Sequence, residues 1–486
     1  MAGGNVKSAQ SSARASATVL FCASGESIFA HPALSKARRR FAGIITANNP
    51  KGSFIAGLPV LGHRLDAESL TAAKMPVSKV ALLGVADRLQ VRAFLGEAAA
   101  LGLRPLILGE HGKTRGMQLA DTVGASAFAA DWAHMRAVIA GKRVLVTGAG
   151  GSIGSEICRQ LAALWPARLT LLDSSEFNLY SIDHELAAKA PALERGRVLC
   201  DIRDGDAVRR WFTRERPDFV LHAAALKHVP MVEEFPCEGA LTNMLGTRNV
   251  VDACAAIGAH MLLVSTDKAA NPASAMGATK RTAEMLCQAK DVRSEREGDP
   301  RFIVARLGNV LGSAGSVTPM FEKQIAAGGP VTITDPDAAR YFITIPQAAA
   351  FLVRALVAGV EGEASRGAAL VLDMGEPVKV IDLARDMIRL KGLRPDIDIP
   401  IKIVGLRPGE KLIEQLIDEN EIVEHLHGEG MMAAHSAPRD LPALRAEIDR
   451  ITTLARAGHD DFVRSRLLSL VSQQRLADLP FVAAGG

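Results

Sequence analysis

The stretch Lys142-Arg143-Val144-Leu145-Val146-Thr147-Gly148-Ala149-Gly150-Gly151-Ser152-Ile153-Gly154 decides the fold. An apolar run feeds straight into clustered glycines and then into a helix expected to begin near Ser152. A strand, tight turn and helix N-terminus in this order present unpaired backbone amides to a pyrophosphate. Gly148 permits the turn, Gly151 the close approach of phosphate, and Gly154 the packing of helix on strand. Ser152 and Ile153, at the helix start, belong to the same candidate dinucleotide site. The spacing is GxxGxxG, not strict GxGxxG, so the loop is read together with the strand after it. Asp173 closes that next expected strand, 19 residues beyond Gly154, where a carboxylate accepts bonds from ribose hydroxyls. Its charge repels a 2′-phosphate, which favours NAD over NADP.

Outward from this loop, apolar runs recur at 169–173, 197–200, 219–222, 261–265 and 302–306, with room for crossover helices between them. The expected fold is therefore α/β, a Rossmann-type doubly wound parallel sheet over residues 136–306. A smaller substrate lobe with returning core elements is expected over 307–424, and a helical tail over 425–486, with Pro438 and Pro442 marking breaks. Before the loop, short apolar runs at 18–22, 41–45, 79–83 and 105–108 suggest a small α/β domain over 16–135. The turn after its first strand, Ala23-Ser24-Gly25-Glu26, lacks glycine spacing for a pyrophosphate, so this domain reads as scaffold or regulatory. Residues 1–15 are small and polar, a disordered lead.

With 486 residues, 48% of them hydrophobic, the chain suits two or three domains. The formal net charge of +4 fits an anionic substrate or an ordinary solvated surface. One basic run, Lys36-Ala37-Arg38-Arg39-Arg40, has no recognition module beside it, so no nucleic-acid partner is expected. None of the six cysteines forms a CxxC pair, which points to reduced thiols in a cytoplasmic protein, and no metal is expected. No signal peptide stands out, and the apolar stretch 348–360 is interrupted by Arg354, so no integral membrane span is expected.

The fifth strand of the central domain ends in Ser265-Thr266-Asp267-Lys268. Asp267 could donate a proton if its affinity were raised, and Lys268 could accept one if its affinity were lowered. Met276 and Lys280 lie four apart, on one helical face; Lys280 is placed to clamp a nicotinamide ribose, and Met276 reads as core. Asp201 and Ile202 follow the third strand. Asp201 suits the adenine amino group, or equally the cap of a helix starting near Gly205. Ala223 and Ala224 follow the fourth strand, where small side chains let backbone approach the cofactor. Asn243 is either a solvent-facing polar residue or a buried support for the active-site strand.

At these residues the chain resembles the UDP-N-acetylglucosamine 4,6-dehydratases of the extended short-chain dehydrogenase/reductase superfamily. The similar stretches are TGAGGSIGSE at 147–156, LLDSSEFNLY at 171–180, HAAALKHVPMVE at 222–233 and STDKAANPASAMGATKRTAE at 265–284. Two more are RLGNVLGSAGSVTPMFEKQI at 306–325 and GLRPGEKLIEQL at 405–416. The resemblance implies an NAD or NADP reduced and reoxidised within one turnover, with water eliminated across carbons 5 and 6 of a UDP-sugar. It implies that Asp267 protonates the departing carbon-6 hydroxyl, Lys268 is the base at carbon 5, and Thr266 orients substrate near carbon 4. Lys280 resembles the family's ribose lysine. Asn309 and the loop from Ser313 to Ser316 resemble contacts to the nucleotide-sugar, while Arg340, Arg407 and Glu410 resemble residues holding its diphosphate and ribose. Lys227 is expected near the sugar or its phosphates.

The departure is Met276, where many members carry a tyrosine that deprotonates the carbon-4 hydroxyl. A thioether has no such proton to exchange. Tyr180 and Tyr341 are the only tyrosines, and neither precedes a lysine at the needed spacing. Met276 is similar to the variant in large, often membrane-attached members, in which Asp267 or Lys280, through a hydroxyl or water, would take that proton. Self-association is a further family expectation. A UDP-sugar 4-epimerase, a 5-inverting dehydratase, and an NAD-binding scaffold without turnover are the competing readings.

Overall fold

A computed structural model describes residues 17–22, 40–83, 88–109, 112–123, 130–294, 296, 298–426, 430–437 and 439–478. The turn at 23–26, Lys36 to Arg39 of the basic run, the polar lead and Pro438 lie outside the described residues. The chain forms two compact units, one of residues 1–124, 321–331 and 382–402, the other of the remainder.

In the first unit, β1 (Ala17–Cys22) pairs in parallel with β2 (Ile44–Thr46) and β5 (Val77–Leu83). The sheet extends through β3 (Phe54–Ile55) and β4 (Leu58–Gly62) on one side and β6 (Arg104–Leu108) and β7 (Thr114–Gly116) on the other. Val91, Phe94, Leu95 and Ala98 recur at helical spacing on Arg88–Ala100 and bury against Val19, Val80 and Leu82. Arg92 Nε donates to Asp386 Oδ2 at 2.9 Å, tying the returning segment into this unit.

The second unit is built on a nine-stranded sheet. Its first six strands are β8 (Arg143–Thr147), β9 (Arg168–Asp173), β10 (Arg195–Leu199), β11 (Phe219–His222), β12 (His260–Thr266) and β13 (Phe302–Leu307). They are all parallel in the order β10-β9-β8-β11-β12-β13, the doubly wound arrangement. Alternation along the strands feeds two cores. Val144 and Val146 face Ile157 and Leu161 of helix Ser152–Ala162 and Phe351 and Leu352 of helix Ile345–Glu361. Leu145, Val220 and Leu263 face Val250 and Cys254 of helix Thr247–Ile257 and Leu286 of helix Ala275–Arg293. All six cysteines are buried, and none is in a disulfide.

Beyond β13 the sheet gains Ala369–Leu372, parallel, and then the antiparallel strands Met431–His435 and Ile422–His425. The segment beyond 425 therefore opens on a strand before it reaches helices Leu441–Arg456 and Asp460–Asp478. Pro442 is no break: it sits in the first turn of a helix capped by Asp440, where its missing N–H costs nothing. Among the described residues no helix is long and apolar enough to cross a membrane. Helix Ile345–Glu361 holds Arg354, whose Nη2 donates to Glu363 at 2.7 Å.

Candidate active site

Parallel pairing sets Thr147, Asp173, His222 and Thr266 at the carboxyl ends of neighbouring strands, and the strand order reverses between β8 and β11. A crevice at such a reversal is where open α/β sheets take ligands. Here a cleft of about 490 Å³ is bounded by the glycine loop, the ends of β11 and β12, and residues 307–318.

Gly148 has φ +63°, and a Cβ there would lie 2.8 Å from the Ala224 backbone. A Cβ on Gly154 would lie 2.0 Å from Gly148 O, so this helix and loop meet only through glycine. Gly151 is the N-cap of helix Ser152–Ala162 and has no side chain to cover the first amides. Gly148, Gly151, Ser152, Ile153 and Gly154 all line the cleft, so a cradle any side chain would fill stays open to a phosphate. Asp173 is buried, its Oδ2 accepting from Gly150 N and its Oδ1 from Ser175 N, both at 2.9 Å. It braces the loop as well as closing β9.

Asp201 accepts from Arg203 N at 2.9 Å and pairs with the Arg203 guanidinium, and the helix Gly205–Glu215 is capped by Asp204 instead. The capping alternative for Asp201 is thereby corrected: the cap must immediately precede the first turn, and Asp204 does. Ile202 is a buried core residue. Ala223 lines the cleft, and Ala224 packs under Gly148.

At the end of β12, Thr266 and Lys268 line the cleft while Asp267 is fully buried behind them. Asp267 Oδ1 accepts from Thr266 Oγ1 at 2.7 Å, from Lys268 N at 2.9 Å and from Lys268 Nζ at 2.9 Å. Its Oδ2 is buried and has no hydrogen-bond partner among the described residues. Lys268 Nζ also donates to Asn309 Oδ1 at 3.2 Å. Glu414, which sequence reasoning did not single out, is buried with Oε1 3.9 Å from the same nitrogen.

Met276 lines the cleft and packs on Val232 and Ala275, the core role its chemistry suggested. Lys280, one turn on, donates from Nζ to Val264 O at 2.7 Å. Burial pulls its ammonium down to about 8, with Glu284 opposing.

A buried polar chain supports both walls. Thr247 Oγ1 donates to Asn243 O at 2.6 Å, so it accepts from His222 Nε2 at 3.0 Å. His222 Nδ1 then accepts from Thr147 Oγ1 at 2.6 Å. Burial and then Lys280 push this imidazole down to about 3, which keeps it neutral. Asn243 is the buried support, not a surface residue. It lies in the π-helical turn Ala240–Gly246, accepts from Leu226 N, and donates to Leu226 O and Thr279 Oγ1.

The loop at 312–316 closes over the cleft. Lys227 Nζ donates to Ser313 Oγ at 3.2 Å, and Ala314 N donates to Ser152 Oγ at 3.0 Å. Gly315, at φ +69°, leaves room for the His228 ring. Three expected substrate contacts lie off this cleft. Arg340 spends its guanidinium on the carbonyls of Ala339, Leu412 and Lys411, each at 2.8 Å, and so holds the segment that carries Glu414. Arg407 is exposed, and Glu410 accepts from its backbone N–H. Among the described residues, His134, Glu361 and Glu363 converge as metal ligands could, but His134 pairs with Glu361 and Arg354 with Glu363.

Strand order, glycine loop and cleft define a dinucleotide-binding α/β protein of the Rossmann class. The chain belongs to the polysaccharide biosynthesis protein family, whose model matches residues 144–436. It is 42% identical over 322 residues to the probable polysaccharide biosynthesis protein EpsC of Bacillus subtilis, covering 65% of this chain and 52% of that protein. The chain thus spans about half the length of that relative. It is 33% identical over 285 residues to a UDP-N-acetylglucosamine 4,6-dehydratase (inverting) of Campylobacter jejuni, covering 58% of this chain and 79% of that one. A UDP-glucose 4-epimerase of Rickettsia felis is 31% identical over 293 residues, covering 58% and 80%. The solved structure of Pen from Bacillus thuringiensis superposes with a TM-score of 0.54 at 31% identity, covering 62% of this chain and 91% of that chain.

Proposed function

We propose that this protein is an NAD-dependent UDP-sugar 4,6-dehydratase acting on UDP-N-acetylglucosamine, in the making of a polysaccharide or glycan. The carrying observation is the acid–amine unit at the end of β12, Asp267 Oδ1 to Lys268 Nζ at 2.9 Å, beside the glycine loop in one cleft. Elimination of water needs a base at carbon 5 and an acid at the carbon-6 hydroxyl, and this unit supplies one of each.

The glycine loop, the helix start at Ser152 and Lys280 would hold the dinucleotide, and Asp173 favours NAD. A nicotinamide bound there would supply reversible hydride acceptance and return. The ketone at carbon 4 acidifies the proton on carbon 5. Lys268, in its neutral form, takes that proton. Asp267, in its protonated form, supplies one to the leaving hydroxyl by way of Thr266, whose Oγ1 lies 2.7 Å from Asp267 Oδ1 and on the cleft. Passing a proton from Lys268 to Asp267 produces both forms with no change in total charge. Lys280, held down to about 8, takes the carbon-4 hydroxyl proton through a hydroxyl or water in place of the tyrosine that Met276 replaces.

The epimerase relative supports a second reading, in which the keto intermediate turns over and regains hydride at carbon 4. That reaction leaves Asp267 without a leaving group to protonate. An inverting dehydration, the reaction in another relative's name, would return the carbon-5 proton to the opposite face. Incubation with UDP-N-acetylglucosamine and NMR of the product separates these readings: a 4-keto-6-deoxy sugar supports dehydration, and a carbon-4 epimer overturns it.

A further inference from the structure

We propose that Glu414 is a positioning residue that governs the protonation of Lys268: its carboxylate is the amine's second counter-ion, and neutralising it releases Lys268 to act as a base. The inference rests on the reading of Lys268 as the carbon-5 base.

The placement is built, not incidental. Arg340 grips the carbonyls of Lys411 and Leu412, Lys411 Nζ donates to Asn271 O, and Asn271 Nδ2 donates to Gln415 Oε1 at 3.3 Å. The bonds of Arg340 fix this segment on strand Ala339–Arg340, and those of Asn271 stitch it to the loop after Lys268. Glu414 is thereby carried to a buried position with Oε1 3.9 Å from Lys268 Nζ, the nitrogen that also lies 2.9 Å from Asp267 Oδ1. One amine thus lies within 4 Å of two buried carboxylates.

The charged groups facing Glu414 are Lys268 and Asp267 from the loop after β12, Arg340 from strand Ala339–Arg340, and Lys411 from its own segment. Burial raises the Glu414 carboxyl, Lys268 opposes, and Asp267 raises it further. Lys268 Nζ thus has two carboxylates within 4 Å, Asp267 and Glu414. When Glu414 is neutral only Asp267 remains, and the proton of Lys268 has one acceptor to move to.

Competitive labelling of the full chain with acetic anhydride across pH, with the Lys268 peptide quantified by mass spectrometry, reads this directly and needs no turnover. Lys268 is accessible enough, its side chain 22% exposed. Glu414→Gln moves the Lys268 labelling midpoint down by about one pH unit or more, a tenfold loss of proton affinity, since charges about 4 Å apart interact strongly at a part-buried site. Glu414→Asp, which keeps the charge but draws it back, moves it less. Unchanged midpoints in folded variants overturn the proposal, and if the glutamine variant fails to fold, an unchanged midpoint in the aspartate variant does so alone. A shifted midpoint in a protein that leaves UDP-sugars untouched would uphold the coupling and reject the dehydratase reading instead.

Discussion

Arg306 and Glu421 form a doubly hydrogen-bonded pair inside the second unit, Nη1 to Oε2 at 2.6 Å and Nη2 to Oε1 at 2.7 Å. Arg306 is fully buried on β13 and also takes both oxygens of Glu284 at 2.9 and 2.8 Å. The cluster joins β13, helix Ala275–Arg293 and the chain just after Glu414. Arg281 shares both carboxylates, so Glu421→Gln leaves two buried guanidinium groups on the single carboxylate of Glu284, and we expect a loss of about 3 kcal/mol or more in urea unfolding.

The same pair sets an acid limit. Burial alone would raise the Glu421 carboxyl, but Arg306 and then Arg281 bring it down to about 2 from an ordinary 4.5. A depressed carboxyl stabilises the fold fully above its unfolded value and loses that contribution as pH falls towards 2. Acid unfolding of Glu421→Gln should therefore be flatter between pH 4.5 and 2 than that of the wild type.

Gly154→Ala puts a methyl 2.0 Å from Gly148 O, a backbone atom that cannot swing away. Binding of NADH, followed by fluorescence, should weaken on the order of a hundredfold, by analogy with other misplaced site geometry. Gly96→Ala is the control. Gly96 lies in helix Arg88–Ala100 with open space around its Cβ, so alanine should stabilise by about 0.5–1 kcal/mol without touching NADH binding.

Lys280 carries a pH signature of its own. Its folded value of about 8 lies below the ordinary 10.5, so between these the unfolded chain binds the extra proton and stability rises with pH. Lys280→Met should abolish that rise in thermal melts from pH 8 to 10.5. It should also lower turnover of UDP-N-acetylglucosamine by about a hundredfold or more.

Met276→Leu should keep turnover and cost less than about 1.5 kcal/mol, because a thioether contributes packing and no proton. A large loss of turnover with an intact fold would show that Met276 does more than fill space.

The central sheet was legible in the residues because each strand announces itself locally. β8 and β11 fall where the apolar runs at 143–147 and 219–222 stand. The glycine loop was legible for the same reason. Met431–His435 was not: MMAAH has no β-branched residue, and pairing with Ala369–Leu372 on one side and Ile422–His425 on the other makes it a strand. The carbonyls of Ala339, Lys411 and Leu412 that Arg340 holds are not announced by its residue type, because they come from the fold. Glu414 lies in the stretch 405–416 that carries the resemblance, but its burial and its approach to Lys268 were not legible, since they arise from contacts 146 residues apart in sequence.

The most direct measurement is the fate of the hydrogen on carbon 5. The purified protein, with NAD, is incubated with UDP-N-acetylglucosamine in deuterated water and the product read by NMR and mass spectrometry. The account predicts a 4-keto-6-deoxy sugar carrying solvent deuterium at carbon 5, formed without net consumption of NAD. A carbon-4 epimer lacking deuterium would contradict it.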